Sequence, residues 1–346
     1  MGKYLQDIFN QPGDLRTAVN SYFNAGNLRQ MRALSAHGFK KVLFSGMGSS
    51  NYCSIGAAIE LNRNGFFASV VSAGELLHYE TALARKDILL VLVSQSGESA
   101  EIVHLIEQLP ENCTVAAITN NGNSTLGKRG NYTFLLNVPE EESVTTRTYL
   151  SSLLLADLLS IVLAGGDQDS FRRRAEKAIV ELEVFLKKSE SFTTNLASFD
   201  HGASSISVIG RGHSLSTVRA GALFLREVVK FPALDFDGGE FRHGPFEMVD
   251  ESFRCIIIAP RGETHQLNIK LMQDIVNRGG RVILITNEKT SVDASRVQMA
   301  EFGDVDERLS PIVTIAPIQL LADSMAKANG VEAGKFRWGS KVTAIE

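Results

Sequence analysis

The stretch DILLVLVSQSGESAEIVHLIEQL, Asp87 to Leu109, sets a strand, a polar turn and a helix end to end. Ile88 to Val93 are six apolar residues in a row, a run suited to a strand buried on both faces of a parallel sheet. The run stops at Ser94-Gln95-Ser96-Gly97-Glu98-Ser99, after which Ile102, Leu105, Ile106 and Leu109 recur at helical spacing. A buried strand that ends in hydroxyls and an amide, with a helix starting at once, places polar groups where open parallel sheets bind ligands, beyond the carboxyl ends of their strands.

Outward from this unit, strand-like and helix-like patterns alternate along the whole chain, which predicts an α/β fold with a mainly parallel sheet. The chain also repeats itself. KKVLFSGMGSS (Lys40 to Ser50) resembles SSISVIGRGHS (Ser204 to Ser214), LVSQSGES (Leu92 to Ser99) resembles IAPRGET (Ile258 to Thr264), and AAITN (Ala116 to Asn120) resembles ILITN (Ile283 to Asn287). The order is kept and the offsets cluster near about 165 residues, so two similar nucleotide-binding-like domains stand in tandem. GDQDSFRRRAEKAIVELEVFLKKSESF, between them, reads as a charged amphipathic linker helix. Where the first copy has Ser94, Gln95 and Ser96, the second has Ala259, Pro260 and Arg261, while Gly97 and Gly262 keep the turn. Hydroxyls present in one copy alone point to a ligand rather than to a demand of the fold.

Composition narrows the options. With 346 residues, more than one hydrophobic core is expected. A net charge of -4 supplies no basic excess for coating nucleic acid, so any anion site must be local. Cys53, Cys113 and Cys255 are odd in number and set in apolar surroundings, which fits reduced thiols packed in a cytoplasmic protein better than disulfides or a metal centre. MGKYLQDIFNQPGDL carries no signal-peptide pattern, and YLSSLLLADLLSIVLAGG from Tyr149 contains Asp157 and ends short of the roughly 20 residues of a membrane span. It reads as a buried or interface helix, and neither membrane nor nucleic-acid partners are expected.

The helix after Ser99 would aim its free N–H groups and the positive end of its dipole at the hydroxyl cluster, an arrangement suited to a phosphate monoester. Ordinary capping by Ser96 or Ser99 is the competing explanation, and it accounts for only one or two of the serines. SGMGSSNY (Ser45 to Tyr52) adds Ser49 and Ser50 behind glycines that allow close backbone approach, without completing a dinucleotide fingerprint. EESVTTRTY (Glu141 to Tyr149) adds Thr145, Thr146, Thr148 and a cation, Arg147.

SGMGSS, SQSGES and EESVTTRTY, in this order, resemble the phosphosugar-binding loops of sugar isomerase (SIS) domains, specifically the tandem pair in the isomerase half of glucosamine-6-phosphate synthase. The resemblance runs from about Leu28 to Glu346. It implies two tandem SIS domains, each a flavodoxin-like parallel sheet flanked by helices. The expected segments are an N-terminal helical segment over 1–27, a first, phosphosugar-binding domain over 28–165, a linker helix over 166–195, a second domain over 196–330, and a tail over 331–346 contributing to the active site.

Moving a proton between adjacent carbons of an open-chain sugar needs a carboxylate over C1 and C2 and a second group that protonates oxygen or opens the ring. The resemblance assigns these roles to Glu227, in GALFLRE, and to His243, in GEFRHGP, the latter supplied across a subunit interface of at least a homodimer. It assigns a Schiff-base role to Lys341, in the tail GKFRWGSKVTAIE, where Trp338 and Phe336 either cover the site or pack. Ser49, Ser50, Ser94, Gln95, Ser96 and Ser99 are expected to hold the phosphate, and Ser143 and Thr145 the sugar. No metal or cofactor is expected, because protonation can stabilise the enediol.

Two departures from the synthase stand out. The chain begins MGKYLQ, without a glutaminase domain, and is expected not to draw ammonia from glutamine; Phe224 stands where the synthase has a lysine, which suggests a larger or less polar substituent beside the sugar. The resulting expectation is a cytoplasmic deglycase of fructosamine 6-phosphates. An amino-sugar-phosphate deaminase or isomerase uses the same residues, and a non-catalytic sugar-phosphate sensor would need a basic DNA-binding extension, of which the 27 or so leading residues show no pattern.

Overall fold

The structure is a computed structural model that describes residues 2–141, 143–194, 196 and 199–343. Glu142 of the third loop and the end of the expected tail, Ala344–Glu346, lie outside the described residues. The chain falls into two compact units, Gly13–Glu176 with Phe336–Glu346, and Met1–Pro12 with Lys177–Lys335. The segments expected over 1–27 and 166–195 are thus divided: helix Lys3–Tyr22 changes unit after Pro12, and helix Gln168–Lys187 after Glu176. Pro12 lies inside the first of these helices, which runs unbroken from Lys3 to Tyr22.

In the unit containing residues 13–176, five strands form one sheet: β1 (Lys41–Gly46), β2 (Phe67–Ser72), β3 (Ile88–Val93), β4 (Thr114–Thr119) and β5 (Tyr132–Leu135). Their order is β2-β1-β3-β4-β5, and every pairing is parallel. All six residues of β3 are buried, as its uninterrupted apolar run requires of a strand covered on both faces. Leu90 and Leu92 pack with Ile102, Leu105, Leu76 and Leu126 from the covering helices, each such side chain contributing about 1.5–3 kcal/mol by burial. Connections leave β1 and β3 in opposite directions, and the register sets Gly46 beside Val93, so the loops after these strands emerge side by side.

The unit containing residues 177–335 repeats the pattern with β6 (Ile206–Gly210), β7 (Ala233–Asp237), β8 (Arg254–Ile258), β9 (Arg281–Thr286) and β10 (Val297–Glu301). The order β7-β6-β8-β9-β10 is the same topology, again wholly parallel. Helix Pro311–Ala328 crosses its core, and Gly221 lets helix Leu215–Phe224 approach so closely that a Cβ there would stand 2.6 Å from Ile318 Cδ1. Gln11 and Gln319, both wholly buried, exchange amide hydrogen bonds of 3.0 and 3.1 Å.

Helix Arg147–Leu163, expected to be buried, is so at every residue but Ile161. Among the described residues, the helix long and apolar enough to cross a membrane is instead the one over Glu307–Ala328, and 94% of its most apolar stretch is buried inside the protein, as in a core helix. Cys53, Cys113 and Cys255 are free and buried. Burial pushes all three thiols up, Cys53 to about 12, which leaves them unreactive packing groups.

Candidate functional site

The loop after β3 is built around Gly97, whose φ of +69° a side chain rarely adopts; a Cβ there would lie 2.0 Å from Ser124 Oγ. Ser94 Oγ accepts the Gly97 N–H at 3.1 Å and stands 3.4 Å from Ser99 Oγ, and Ser96 Oγ accepts the Glu98 N–H at 3.1 Å. The Gln95 carbonyl accepts the Asn120 N–H at 2.9 Å and the Thr119 hydroxyl at 3.2 Å, which pins the turn to the end of β4. Glu98 turns away, its carboxylate accepting the Thr125 N–H at 2.7 Å and the Thr125 hydroxyl at 2.9 Å.

Ser99 is the N-cap residue of helix Ala100–Gln108, yet its side chain makes no capping hydrogen bond. Capping therefore does not explain its hydroxyl. Ser49 and Ser50 open the short helix after β1, half-buried and next to this turn because β1 and β3 run in register. Gly48 before them has φ +53°, a left-handed backbone that favours glycine, and at Gly46 a Cβ would meet Val93 O at 2.6 Å, so Gly46 is set by the close approach of β3.

The first-turn amide of the rim helix is not free as expected. Ala100 N–H donates to the Thr343 carbonyl at 3.0 Å, so the C-terminal tail lies against the helix start. Lys341 in this tail donates its ammonium to the Glu141 carbonyl and stands 3.6 Å from the Glu141 carboxylate. That carboxylate, with no side-chain exposure, accepts the Thr146 N–H at 3.0 Å, the Thr148 N–H at 2.8 Å and the Thr148 hydroxyl at 2.9 Å, and so caps helix Arg147–Leu163. Sequence reasoning did not single out Glu141, although its acidic character just before a helix is a capping signal. Thr145 and Ser143 sit half-buried in the same loop. Arg147, the cation expected near the rim, is buried and paired with Asp14 at 2.9 Å; burial of that pair raises the Asp14 carboxyl despite the guanidinium. Trp338 is 97% exposed and so is not packed among the described residues.

Glu227 and His243 belong to the other compact unit. Helix Leu215–Phe224 continues into a π-helical turn, Leu225–Val229, that carries Glu227 and is ended by Lys230 at φ +63°. Such turns interrupt helices chiefly where a side chain must be re-aimed, often at functional sites. The Lys230 ammonium donates to the Glu227 main-chain carbonyl. Glu227 is half-buried, and desolvation lifts its carboxyl to about 7 against the opposing pull of Lys230 and Arg226. A carboxyl poised there exchanges protons readily at neutral pH.

His243 is exposed on the loop DGGEFRHGP, which Phe241 anchors by packing against Phe236, Phe246 and Phe253. Gly244, at φ +124°, turns the chain directly after it. Phe224, which stands where the resemblance places a lysine, is wholly buried in the core, because the helix presents that face to the interior. Among the described residues, no group of three or more His, Cys, Asp and Glu is placed to hold a metal ion.

Two parallel sheets of the same 2-1-3-4-5 topology, the first with a hydroxyl-lined switch point, define a tandem doubly wound α/β protein. The SIS domain model matches residues 38–162 and 201–298, and the chain belongs to this family. A glutamine–fructose-6-phosphate aminotransferase (isomerizing) from Brucella abortus biovar 1 (strain 9-941) is 30% identical over 284 residues, covering 79% of this chain and 47% of that protein. The chain spans about half the length of the curated relatives it matches. Among solved structures, the C-terminal domain of a glucosamine-fructose-6-phosphate aminotransferase from Francisella tularensis superposes with a TM-score of 0.86 at 20% identity, covering 97% of this chain and 98% of that one. A glucosamine-6-phosphate deaminase from Thermotoga maritima superposes with a TM-score of 0.77 at 18% identity, covering 99% of each chain.

Proposed function

We propose that this protein is a phosphosugar isomerase of the deglycase type, acting on a fructosamine 6-phosphate and releasing an amine or amino acid and a hexose 6-phosphate. The observation that carries the reading is Glu227: a half-buried carboxyl on a π-helical turn, held by burial at about 7, is suited to taking a proton from carbon and returning it. Similar proteins are named for aminotransfer to fructose 6-phosphate and for deamination of glucosamine 6-phosphate, both reactions of an amine at the first carbons of a hexose 6-phosphate.

In this reading Ser49, Ser50, Ser94, Gln95, Ser96 and Ser99 hold the phosphate through hydroxyls and an amide, and Ser143 and Thr145 orient the sugar. The Glu227 carboxylate removes a C1 proton from the open-chain ketosamine, and the electron pair forms the C1–C2 double bond as O2 takes a proton from His243. Glu227 then returns its proton to C2, leaving an imine at C1. Water adds to C1, the C–N bond breaks, and the amine leaves with the nitrogen electron pair. In the same reading the Lys341 ammonium donates a hydrogen bond to O2 without forming a Schiff base, because O2 is kept in the hexose product. His243, exposed on its loop, is offered to the site of a second subunit, which makes the working form at least a homodimer. Burial of an apolar Phe224 where the synthase has a lysine leaves no cation at that position, which favours a ketosamine substrate over ammonia transfer.

Incubating the chain with a panel of ketosamine and amino-sugar 6-phosphates in deuterated water, and following amine release and deuterium at C2, tests this. Turnover of ketosamine phosphates, with deuterium at C2 to the extent that Glu227 exchanges its proton with solvent before returning it, abolished in E227Q while a hexitol 6-phosphate still binds, is the expected result. Turnover of amino-sugar phosphates alone would replace the deglycase with a deaminase.

A further inference from the structure

The second copy of the fold also has a switch-point crevice, between the loops after β6 and β8, and a side chain of the same unit stands in it. Glu307 precedes helix Pro311–Ala328, and its Oε2 accepts the Glu263 N–H at 3.1 Å, in the loop that leads into helix His265–Val276. The same Oε2 lies 2.1 Å from where a Cβ on Gly262 would stand, and Oε1 lies 3.5 Å from a Cβ on Gly212, in the loop after β6. One carboxylate thus touches both loops of the crevice. Gly262 has no left-handed backbone to explain it, unlike Gly97; what it provides is room for the carboxylate.

Glu307 stands at the same repeat position as Glu141, each following the last strand of its sheet and preceding a long buried helix. Glu141 turns back to cap its helix at Thr146 and Thr148. Glu307 reaches into the crevice, and the neighbouring Asp306 caps the 3-10 turn Glu307–Leu309 ahead of the long helix, accepting the Leu309 N–H at 3.2 Å. An oxyanion therefore already occupies, in the second copy, the place where open α/β sheets take anionic ligands.

We propose that the Glu307 carboxylate is a built-in occupant of the second copy's ligand crevice, excluding external oxyanions such as phosphate that the crevice would otherwise accept. This holds whatever the first copy binds, and the test separates the two. Inorganic phosphate binding is measured by equilibrium dialysis on the full chain as wild type, E307A and E307Q, each also in an S94A/S99A background. E307A is expected to bind one more phosphate per chain than wild type, and to keep that gain in the S94A/S99A background. E307Q, which fills the same volume and keeps an oxygen for the Glu263 N–H, is expected to gain none. Equal phosphate numbers for wild type and a folded E307A overturn the proposal, as does a gain in E307Q equal to that in E307A. The Ser310 hydroxyl bonds the main-chain carbonyl of Glu307, at 2.8 Å, so truncating the side chain leaves that turn intact. Should E307A still fail to fold, E307S is dialysed in its place, and an unchanged phosphate number for it likewise overturns the proposal.

Discussion

Lys341 donates its ammonium to the main-chain carbonyl of Glu141, 200 residues earlier in the sequence, and lies 3.6 Å from that residue's buried carboxylate. The same carboxylate holds the first turn of helix Arg147–Leu163 through Thr146 and Thr148. Glu141 thus joins the C-terminal tail, the loop after β5 and a core helix through its side chain and its main-chain carbonyl.

Replacing Glu141 by Ala is expected to lower stability by about 1.5–3 kcal/mol, the range for hydrogen bonds to a charged group. K341A should cost much less, because the lysine is partly exposed while the helix amides would keep their acceptor. Urea denaturation of both variants checks the order; equal losses would refute the capping role of Glu141.

Gly97→Ala forces a side chain into a left-handed backbone and against Ser124, and is expected to cost at least about 1–3 kcal/mol for the backbone alone. Gly262→Ala meets only the end of the Glu307 side chain, which can swing aside, so its thermal shift should be distinctly smaller.

Ser99→Ala removes a hydroxyl that makes no capping bond, so its stability in urea should stay within about 0.5 kcal/mol of wild type rather than show the ~1 kcal/mol of a lost cap. Affinity for a hexitol 6-phosphate, measured by calorimetry, should fall. A stability loss without an affinity loss would return Ser99 to a purely structural role.

Glu227 gives stability a pH dependence of definite sign. Its carboxyl is raised from 4.5 to about 7 by burial, so between these values the folded chain binds more protons than the unfolded one. The contribution is fully present below about pH 4.5 and is lost as pH rises through about 7. The stability of wild type relative to E227Q should therefore decline over that window, while any turnover that needs the carboxylate rises over it. Stability curves of the two proteins that stay parallel from pH 4.5 to 7 would count against the raised value.

Gln11 and Gln319 leave each other unsatisfied if either is truncated. Q11L or Q319L alone should cost about 1–3 kcal/mol, and Q11L/Q319L together less than the sum of the single losses. A double-mutant cycle in urea measures the coupling.

Strand β3, the helix after Ser99 and the repeat of the whole sheet were legible because each is written in a local period: an unbroken apolar run, apolar residues at helical spacing, and matching motifs in matching order. The two sheets keep those elements, in the same strand order. The serine turn was legible because its hydroxyls appear in only one copy. Long-range pairing carries no such local signature. That Arg147 meets Asp14 rather than the rim, that Thr343 covers the Ala100 amide, and that Phe224 faces the core all depend on where distant segments come to rest. Glu141 and Glu307 show the limit most clearly. The sequence by itself determined that an acid follows the last strand of each copy, since that is a matter of order along the chain. Only the tertiary structure decided that one caps a helix and the other fills a crevice, because a side chain's partners are set by the backbone amides that packing brings within its reach.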